Sequence, residues 1–406
     1  MKAAAWIASR QSEITADLIE LANLNSGSDN LSGLYRVADW LEDRMDLHHA
    51  HFQRIGLPPR RVIDNAGDEL AIETGPMLRW DFNPDCQRKV LLAIHYDTVF
   101  PSEDPFQQCE LLTSDRLQGP GVADAKGGIM VIRSTLQAIQ QYSLAQEIGW
   151  TVVLNPDEEV GSPSSRTQLE TMASEFDFGL LFEPAMPTGE LVAQRKGSGT
   201  FTIVVHGRAA HAGRHFEEGR NAVVELCRLL AALDALNGVS PDLSINVGHV
   251  QGGGPVNVVP ATAVGRINIR AADESSAVWF QRQLEQLVRE LDHKPGFRCR
   301  SFGGIQSPPK PVTHAMRELM NAIEQSTAAC GAGQVHWRMT GGVCDGNKLA
   351  AAGLPNVDTL GPVGDCLHSR SEWVQLSSIV RKSQIVVDLL SRYSTGELSH
   401  LDRPRS

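Results

Sequence analysis

The sequence predicts an α/β fold, with a mostly parallel sheet flanked by helices and a smaller α+β insertion. Three observations carry this. The first is a set of continuous apolar runs, Lys89–Ile94, Trp150–Leu154 and Phe178–Phe182, of the kind that form strands buried on both faces. The second is a helical stretch, Lys126–Ile139, between the first two runs, which makes the order strand, helix, strand. The third is a change of pattern over residues 195–303, where strand and helix signals follow in the order βαββαβ, that of a ferredoxin-like domain.

Taken in order, residues 3–24 read as one amphipathic helix. Residues 34–47 read as a second, with Leu34, Val37, Trp40 and Leu41 at helical spacing. Residues 57–85, rich in Pro, Gly and charge, hold short strands and loops that the pattern does not place. Inside the insertion, 200–205, 243–250, 263–270 and 297–302 read as strands, and 221–236 and 275–291 as helices. Beyond it, 311–330 returns to helix and 355–360 to strand. A length of 406 residues is too much for one ordinary core. The expected organisation is therefore a larger domain built from 1–194 and 304–406, interrupted by 195–303.

Hydrophobic residues at 42% and charged residues at 21% mark a globular chain. Lys+Arg 37 against Asp+Glu 48 gives a net charge of -11, which argues against nucleic acid as the partner because phosphates want a basic surface. No apolar run is long enough for a membrane span, and the start of the chain lacks the apolar stretch of a signal peptide. The 7 cysteines are scattered, odd in number and without a CxxC pair, which points to a reducing compartment and a cytoplasmic location.

Ligands of such sheets sit at the carboxyl ends of the strands. Each apolar run releases a His or an acid there: His95-Tyr96-Asp97, then Asp157-Glu158-Glu159, then Glu183. His95 and Asp97, two apart on a strand end, point the same way, so one can bind a metal while the other orients it. Asp124 lies in a Gly-rich stretch, Gly119–Gly128, that opens a helix and lets backbone approach a site. Alone, an Asp-Glu-Glu triplet reads as a solvated acidic patch and a strand-end His as a packed one. Their repetition at successive strand ends points to a cation site, because buried acids are costly unless paired or on a metal. The carboxylates of Asp124, Glu159 and Glu183, with neutral His95 and His368, nearly balance two divalent ions. Glu158 is left over and suits a general base that moves a proton from water to a leaving amine.

His95-Tyr96-Asp97-Thr98-Val99, Gly119–Gly128 with Asp124, Asp157-Glu158-Glu159, Phe182-Glu183-Pro184 and Gly361–Ser369 with His368 together resemble the motifs of the M20 metallopeptidases, nearest the glutamate carboxypeptidase branch. The resemblance spans nearly the whole chain. It implies a zinc-exopeptidase-type catalytic domain with the insertion as a lid and dimerisation domain, and hence a homodimer. It implies two divalent metal ions, zinc first, with manganese or cobalt open. His95 and Glu183 would hold one ion and Glu159 and His368 the other, with Asp124 between them, Glu158 as base and Asp97 supporting His95. His211, in Gly207–Gly213, resembles the lid histidine that reaches the partner's site, and it could donate to an oxyanion. Asn257 and Arg270 match positions that hold a substrate carboxylate, which an Arg can grip with two parallel hydrogen bonds. A hairpin across Gly252-Gly253-Gly254 is expected to bring Asn257 and Arg270 to one spot.

Two departures concern the pocket: Phe216 stands where the lid motif often has Pro, and Cys344 where Ser or Thr is common. Cys366, two before His368, reads as a buried inert thiol rather than a ligand. The expected activity is hydrolysis of an amide bond next to a free carboxylate, on a small peptide. Two rivals stand beside it: removal of the acyl group from an N-acyl amino acid at the same site, and a non-catalytic binding protein of the same fold.

Overall fold

The computed structural model describes residues 2–240 and 242–403. Met1 and residues 404–406, the outermost positions of the first and third segments, lie outside the described residues, as does Pro241. The central sheet has six strands in the order His51–Ile55, Met77–Phe82, Gly149–Asn155, Lys89–His95, Phe178–Leu181 and Asn356–Val357. The last four are mutually parallel and the first two join antiparallel.

The apolar runs are continuous because each strand is covered twice. Val90, Leu92, Ile94, Val152 and Leu154 face a large core shared with helices Lys126–Gln141 and Leu376–Ser394. Leu91, Ala93 and Val153 face a smaller core with Leu169, Met172 and Leu349. Register then sets the site. Lys89 pairs with Gly149 and, at the other end, His95 pairs with Asn155. The Phe182 N–H donates to the Ala93 carbonyl at 3.2 Å. The three runs therefore stop at one level, and whatever follows them is delivered to one edge of the sheet.

The insertion is a four-stranded antiparallel sheet, in the order Leu243–Gly252, Thr262–Ala271, Gly197–His206 and Arg298–Ser307. Helices Ala222–Asp234 and Glu274–Asp292 cover it and share its own core, in which Leu226, Phe280 and Ile267 are buried.

Two sequence expectations need correction, and one segment that the pattern does not place is resolved. Residues 3–24 form two helices, Lys2–Ser9 and Gln11–Ala22. Arg10 breaks them: its N–H bonds three residues back to Ile7, and its guanidinium lies 4.4 Å over the Trp6 ring and pairs with Glu13. The apolar stripe runs on across the break, so periodicity could not reveal it. The strand expected over 355–360 shrinks to Asn356–Val357, because Asp358 and Thr359 turn out of the ladder to bond Arg195, Lys310 and the Val192 N–H. Residues 57–85 hold a hairpin, Arg60–Ile63 with Glu69–Ile72, and the strand Met77–Phe82. The hairpin leans on the insertion through Arg266, which donates to Ile63 O and Asn65 Oδ1, each at 2.9 Å.

Candidate metal centre

Asp124 lies at the centre of the strand-end cluster. Its Oδ1 is 3.1 Å from His95 Nε2, and its Oδ2 is 3.4 Å from His368 Nε2. His95 Nε2 is also 3.7 Å from Glu183 Oε2, and His368 Nε2 is 3.2 Å from Glu159 Oε2. His95, Asp124 and Glu159 can bring ligand atoms within 4.8 Å of one another. The five residues thus form a chain, Glu183–His95–Asp124–His368–Glu159, with one carboxylate facing an imidazole on each side.

The backbone that delivers them is held by a second layer. Asp97 is fully buried. Its Oδ1 lies 3.3 Å from His95 Nδ1, and its carboxylate accepts the N–H groups of Glu158 and Glu159 at 3.1 and 3.2 Å and the Ser28 hydroxyl at 2.7 Å. Glu372, also buried, accepts the N–H groups of Gly121, Ala123 and Asp124 at 3.1, 2.9 and 3.0 Å, fixing the loop that presents Asp124. Helix Lys126–Gln141 then starts so close to the third strand end that a Cβ on Gly128 would sit 2.1 Å from the Phe182 carbonyl oxygen. Glu183 is clamped by its backbone, its N–H on Asp358 O at 3.1 Å and its carbonyl accepting from Gly361 at 3.0 Å. His368 sits at φ 59, a left-handed conformation that a non-glycine residue adopts at a cost and that clusters at functional sites.

The electrostatics point to a missing positive charge. Burial pushes Glu159 up to about 7, with Asp124 adding to the effect, and burial also raises Glu183. His368 is raised to about 10 by its contacts with Asp124 and Glu159. Burial opposes a charged His95, yet Glu183 and Asp124 hold its pKa well above the ordinary value. These opposed shifts on acids and imidazoles in contact are what a bound cation would relieve for all of them at once. Glu159 Oε1 is buried and bonds to no protein group, an orphaned acceptor that such a cation would satisfy. The donor set is imidazole and carboxylate without thiolate, which suits zinc, manganese or cobalt.

Glu158 stands beside this chain. Burial raises its pKa well above the carboxylate range, partly countered by His95 and reinforced by Glu183. Glu158, Glu159 and His368 line a cavity of about 510 Å³ that continues to Arg270, Asn268 and Gln306 of the insertion and to Arg61 of the hairpin. Arg270 is half-buried there, and among the described residues its guanidinium donates to the Gly341 carbonyl, at 3.3 Å.

His211 and Asn257 are placed otherwise. Both are exposed, and they lie together on one loop pair: His211 bridges Val258, and the Ala212 N–H donates to Asn257 O at 2.9 Å. Asn257 belongs to the connection between strands 243–252 and 262–271, whereas Arg270 is at the far end, paired with Ser244 and Ser198. Eight residue steps along the strand separate Thr262 from Arg270, roughly 26 Å at ~3.3 Å per step. The expected meeting of Asn257 and Arg270 within one chain is therefore wrong. A hairpin joins residues in register and keeps its turn away from its open end. His211 Nδ1 accepts from the Gly213 N–H at 3.1 Å, which leaves Nε2 to carry the proton of a neutral ring.

Cys344 is buried and caps helix Asp345–Ala351, while Phe216 is exposed at 64%. Cys366 is exposed, contrary to expectation, because its turn, at φ 58, lifts it onto the surface beside His368.

The M20 peptidase dimerisation domain matches residues 193–295. Carboxypeptidase G2 of Pseudomonas sp. (strain RS-16) is 26% identical over 402 residues, covering 95% of this chain and 91% of that one. A solved M20 family metallo-carboxypeptidase from Sulfolobus solfataricus superposes with a TM-score of 0.74 at 15% identity, over 94% of this chain and 99% of that one. The chain thus resembles M20 metallopeptidases in sequence over nearly its whole length and in fold, and this likeness favours an enzyme over the non-catalytic binding protein. Other M20-like relatives have different names: a succinyl-diaminopimelate desuccinylase of Gluconobacter oxydans is 27% identical over 324 residues, covering 74% of this chain and 80% of that one.

Sequence reasoning missed the roles of several residues that shape this site. Glu372 carries no motif. Asp358, bonded by Arg195 at 2.9 and 2.8 Å and by Lys310 at 2.6 Å, anchors the wall behind Glu183. Asp345, bonded by Lys348 at 2.8 Å and Asn155 at 2.7 Å, braces the end of strand Gly149–Asn155. Each is a lone acid in sequence, and only the fold supplies its partners.

Proposed function

We propose that this chain is a two-metal amide hydrolase, zinc-dependent by preference, that cleaves a small peptide next to a free carboxylate. The observation that carries the proposal is the shared cavity: Glu158, Glu159 and His368 line one part and the unpaired guanidinium of Arg270 another. A half-buried cation without an anionic partner suits a ligand that brings the anion.

His95 and Glu183 would hold one ion, Glu159 and His368 the other, and Asp124 both, one oxygen to each side. Bound there, the ions would supply Lewis acidity toward the scissile carbonyl and toward water. The protein does the rest. Glu158 takes a proton from the attacking water and delivers it to the leaving nitrogen, a role that suits its place on the cavity beside the ligand chain. Asp97 keeps His95 in one orientation and holds the Glu158–Glu159 turn. Arg270 grips the terminal carboxylate and so sets which amide is presented. His211 and Asn257, too far along the sheet to serve their own chain's site, reach the site of a second copy, where His211 Nε2–H donates to the developing oxyanion. The enzyme is thus a homodimer joined through the insertion. Seven free cysteines and the absence of a long apolar helix among the described residues support a cytoplasmic location.

The desuccinylase likeness favours a second reading, in which the same cavity takes an N-acyl amino acid. Metal analysis of the purified protein, with a screen of dipeptides, N-acyl amino acids and their carboxamides, tests both. Turnover of dipeptides with a free carboxylate is expected. Turnover of acyl amino acids alone would install the second reading, and equal turnover of acids and amides would remove the carboxylate requirement.

A further inference from the structure

A second cavity, of about 200 Å³, lies between helices His314–Ala329 and Leu376–Ser394, away from the metal centre. The segment 359–363 separates it from a cavity over the metal centre, which Asp124, Glu183 and His368 line: Thr359 lines that side and Leu360 and Val363 line this one.

The amine in this cavity has no counter-ion. Lys382 Nζ meets only the Thr359 carbonyl oxygen, at 3.5 Å, and among the described residues no carboxylate pairs with it. Lys382 is half-buried, and the fully buried Lys310 and Lys348 contrast with it, lying 2.6 Å from Asp358 and 2.8 Å from Asp345, whereas the buried Lys126 likewise donates to a carbonyl, that of Leu24, at 2.7 Å. Burial alone pushes the Lys382 ammonium down to about 7, with no opposing acid. Arg381 also lines the cavity but is exposed and faces the Asp115 carboxylate, so Lys382 is the cation without an acid, and the cavity lining contains no Asp or Glu. The nearby carboxylate of Asp115 is already taken by Gln375 Nε2 at 3.0 Å and by the Ser377 N–H and hydroxyl at 2.6 and 2.8 Å. The remaining walls include Leu191, Ile323, Val335 and Ile385. A cavity with one amine that lacks an acid, with hydroxyl and amide groups such as those of Thr327, Gln334 and Ser378, and with an aliphatic side at Leu191, Ile323 and Ile385 fits a small anion with a compact organic body.

We propose that this cavity binds a small organic carboxylate, its head group on Lys382 and its apolar body against Leu191, Ile323 and Ile385. The site is separate from the one that holds substrate. Because the Gly361 N–H bonds the Glu183 carbonyl at 3.0 Å, its occupant would rest against the segment that positions Glu183.

The test uses the metal-loaded enzyme with benzoate as probe and benzyl alcohol as its uncharged counterpart, followed by calorimetric titration and thermal melting. Benzoate is expected to bind and raise Tm, and benzyl alcohol to do neither. Lys382→Met removes the charge at nearly constant length. It should weaken benzoate at least ~10-fold, the scale of one charged hydrogen bond, and should melt at or above the wild type in benzoate-free buffer. Lys382→Arg, which keeps the charge, should retain binding. The proposal is overturned if wild type ignores benzoate. It is also overturned if Lys382→Met binds benzoate as wild type does while Arg270→Met does not, which would put the probe in the catalytic cavity.

Discussion

Asp97 and Glu158 stand 61 residues apart in sequence, and the Asp97 carboxylate accepts the Glu158 backbone N–H at 3.1 Å. Its other oxygen accepts from Glu159 at 3.2 Å, and the same carboxylate faces His95 Nδ1 at 3.3 Å. One buried acid therefore ties an imidazole of the cluster to the turn that carries both glutamates. Asp97→Asn would set an NH₂ group against an N–H donor and loosen both. The expected outcome is metal affinity weakened by ~10–100-fold, the usual scale for a partner behind a ligand, measured by competition with a chelator. Affinity equal to the wild type's would reduce Asp97 to packing.

Glu158 differs from its neighbour in what it touches. Glu159 is bonded to His368, whereas Glu158 meets no imidazole at contact distance and opens on the cavity. Glu158→Gln should therefore lower kcat by at least ~100-fold, as loss of a general base does, with metal content measured by elemental analysis nearly unchanged. A variant that keeps its rate would remove Glu158 from proton transfer. A variant that loses metal would make it a ligand.

The sequence made this cluster legible for a physical reason. A strand buried on both faces must be apolar throughout, so the polar residue that ends it stands out, and His95, Glu158, Glu159 and Glu183 all occupy such ends. Asp124 stood out because glycines surround it, and Gly128 has to be small against Phe182. What was not legible depends on pairing across the chain. Glu372 lies 248 residues from Asp124, whose N–H it accepts, and nothing local marks it. Asp358 is buried through Arg195 and Lys310, which come from other segments. The break at Arg10 was hidden by an apolar stripe that does not notice it. Asn257 and Arg270 were matched by type, but the register of one hairpin keeps them at opposite ends.

Arg270 has a protein partner in Gly341 O and no carboxylate, so its charge is open to a ligand. Arg270→Met should lower kcat/KM by roughly 10- to 150-fold for a dipeptide with a free α-carboxylate, the equivalent of ~1.5–3 kcal/mol for a charged hydrogen bond. The matching carboxamide never makes this contact and should change little. Equal losses on acid and amide would make Arg270 a brace for the loop at Gly341 and would favour a broader amidohydrolase.

His211 and Asn257 lie exposed at the end of the insertion sheet remote from Arg270, so in a single chain they contribute nothing to the cavity. A two-fold dimer would make use of that distance, because each insertion can then reach across to the other catalytic domain. The matched dimerisation domain spans this same sheet. The consequence is a complementation test. His211→Ala and Glu158→Gln should each be nearly inactive as pure dimers. After subunit exchange, a mixed dimer has one doubly damaged site and one intact site, since the Glu158→Gln subunit still lends His211 to a partner with a normal Glu158. Random exchange of equal amounts should restore roughly a quarter of wild-type activity, because half the dimers are mixed and each has one good site of two. Activity that stays at the level of the separate variants, despite exchange verified by labelled subunits, would place His211 outside the reaction. Full activity in a protein that remains monomeric at assay concentration would remove both the dimer and the reach across it.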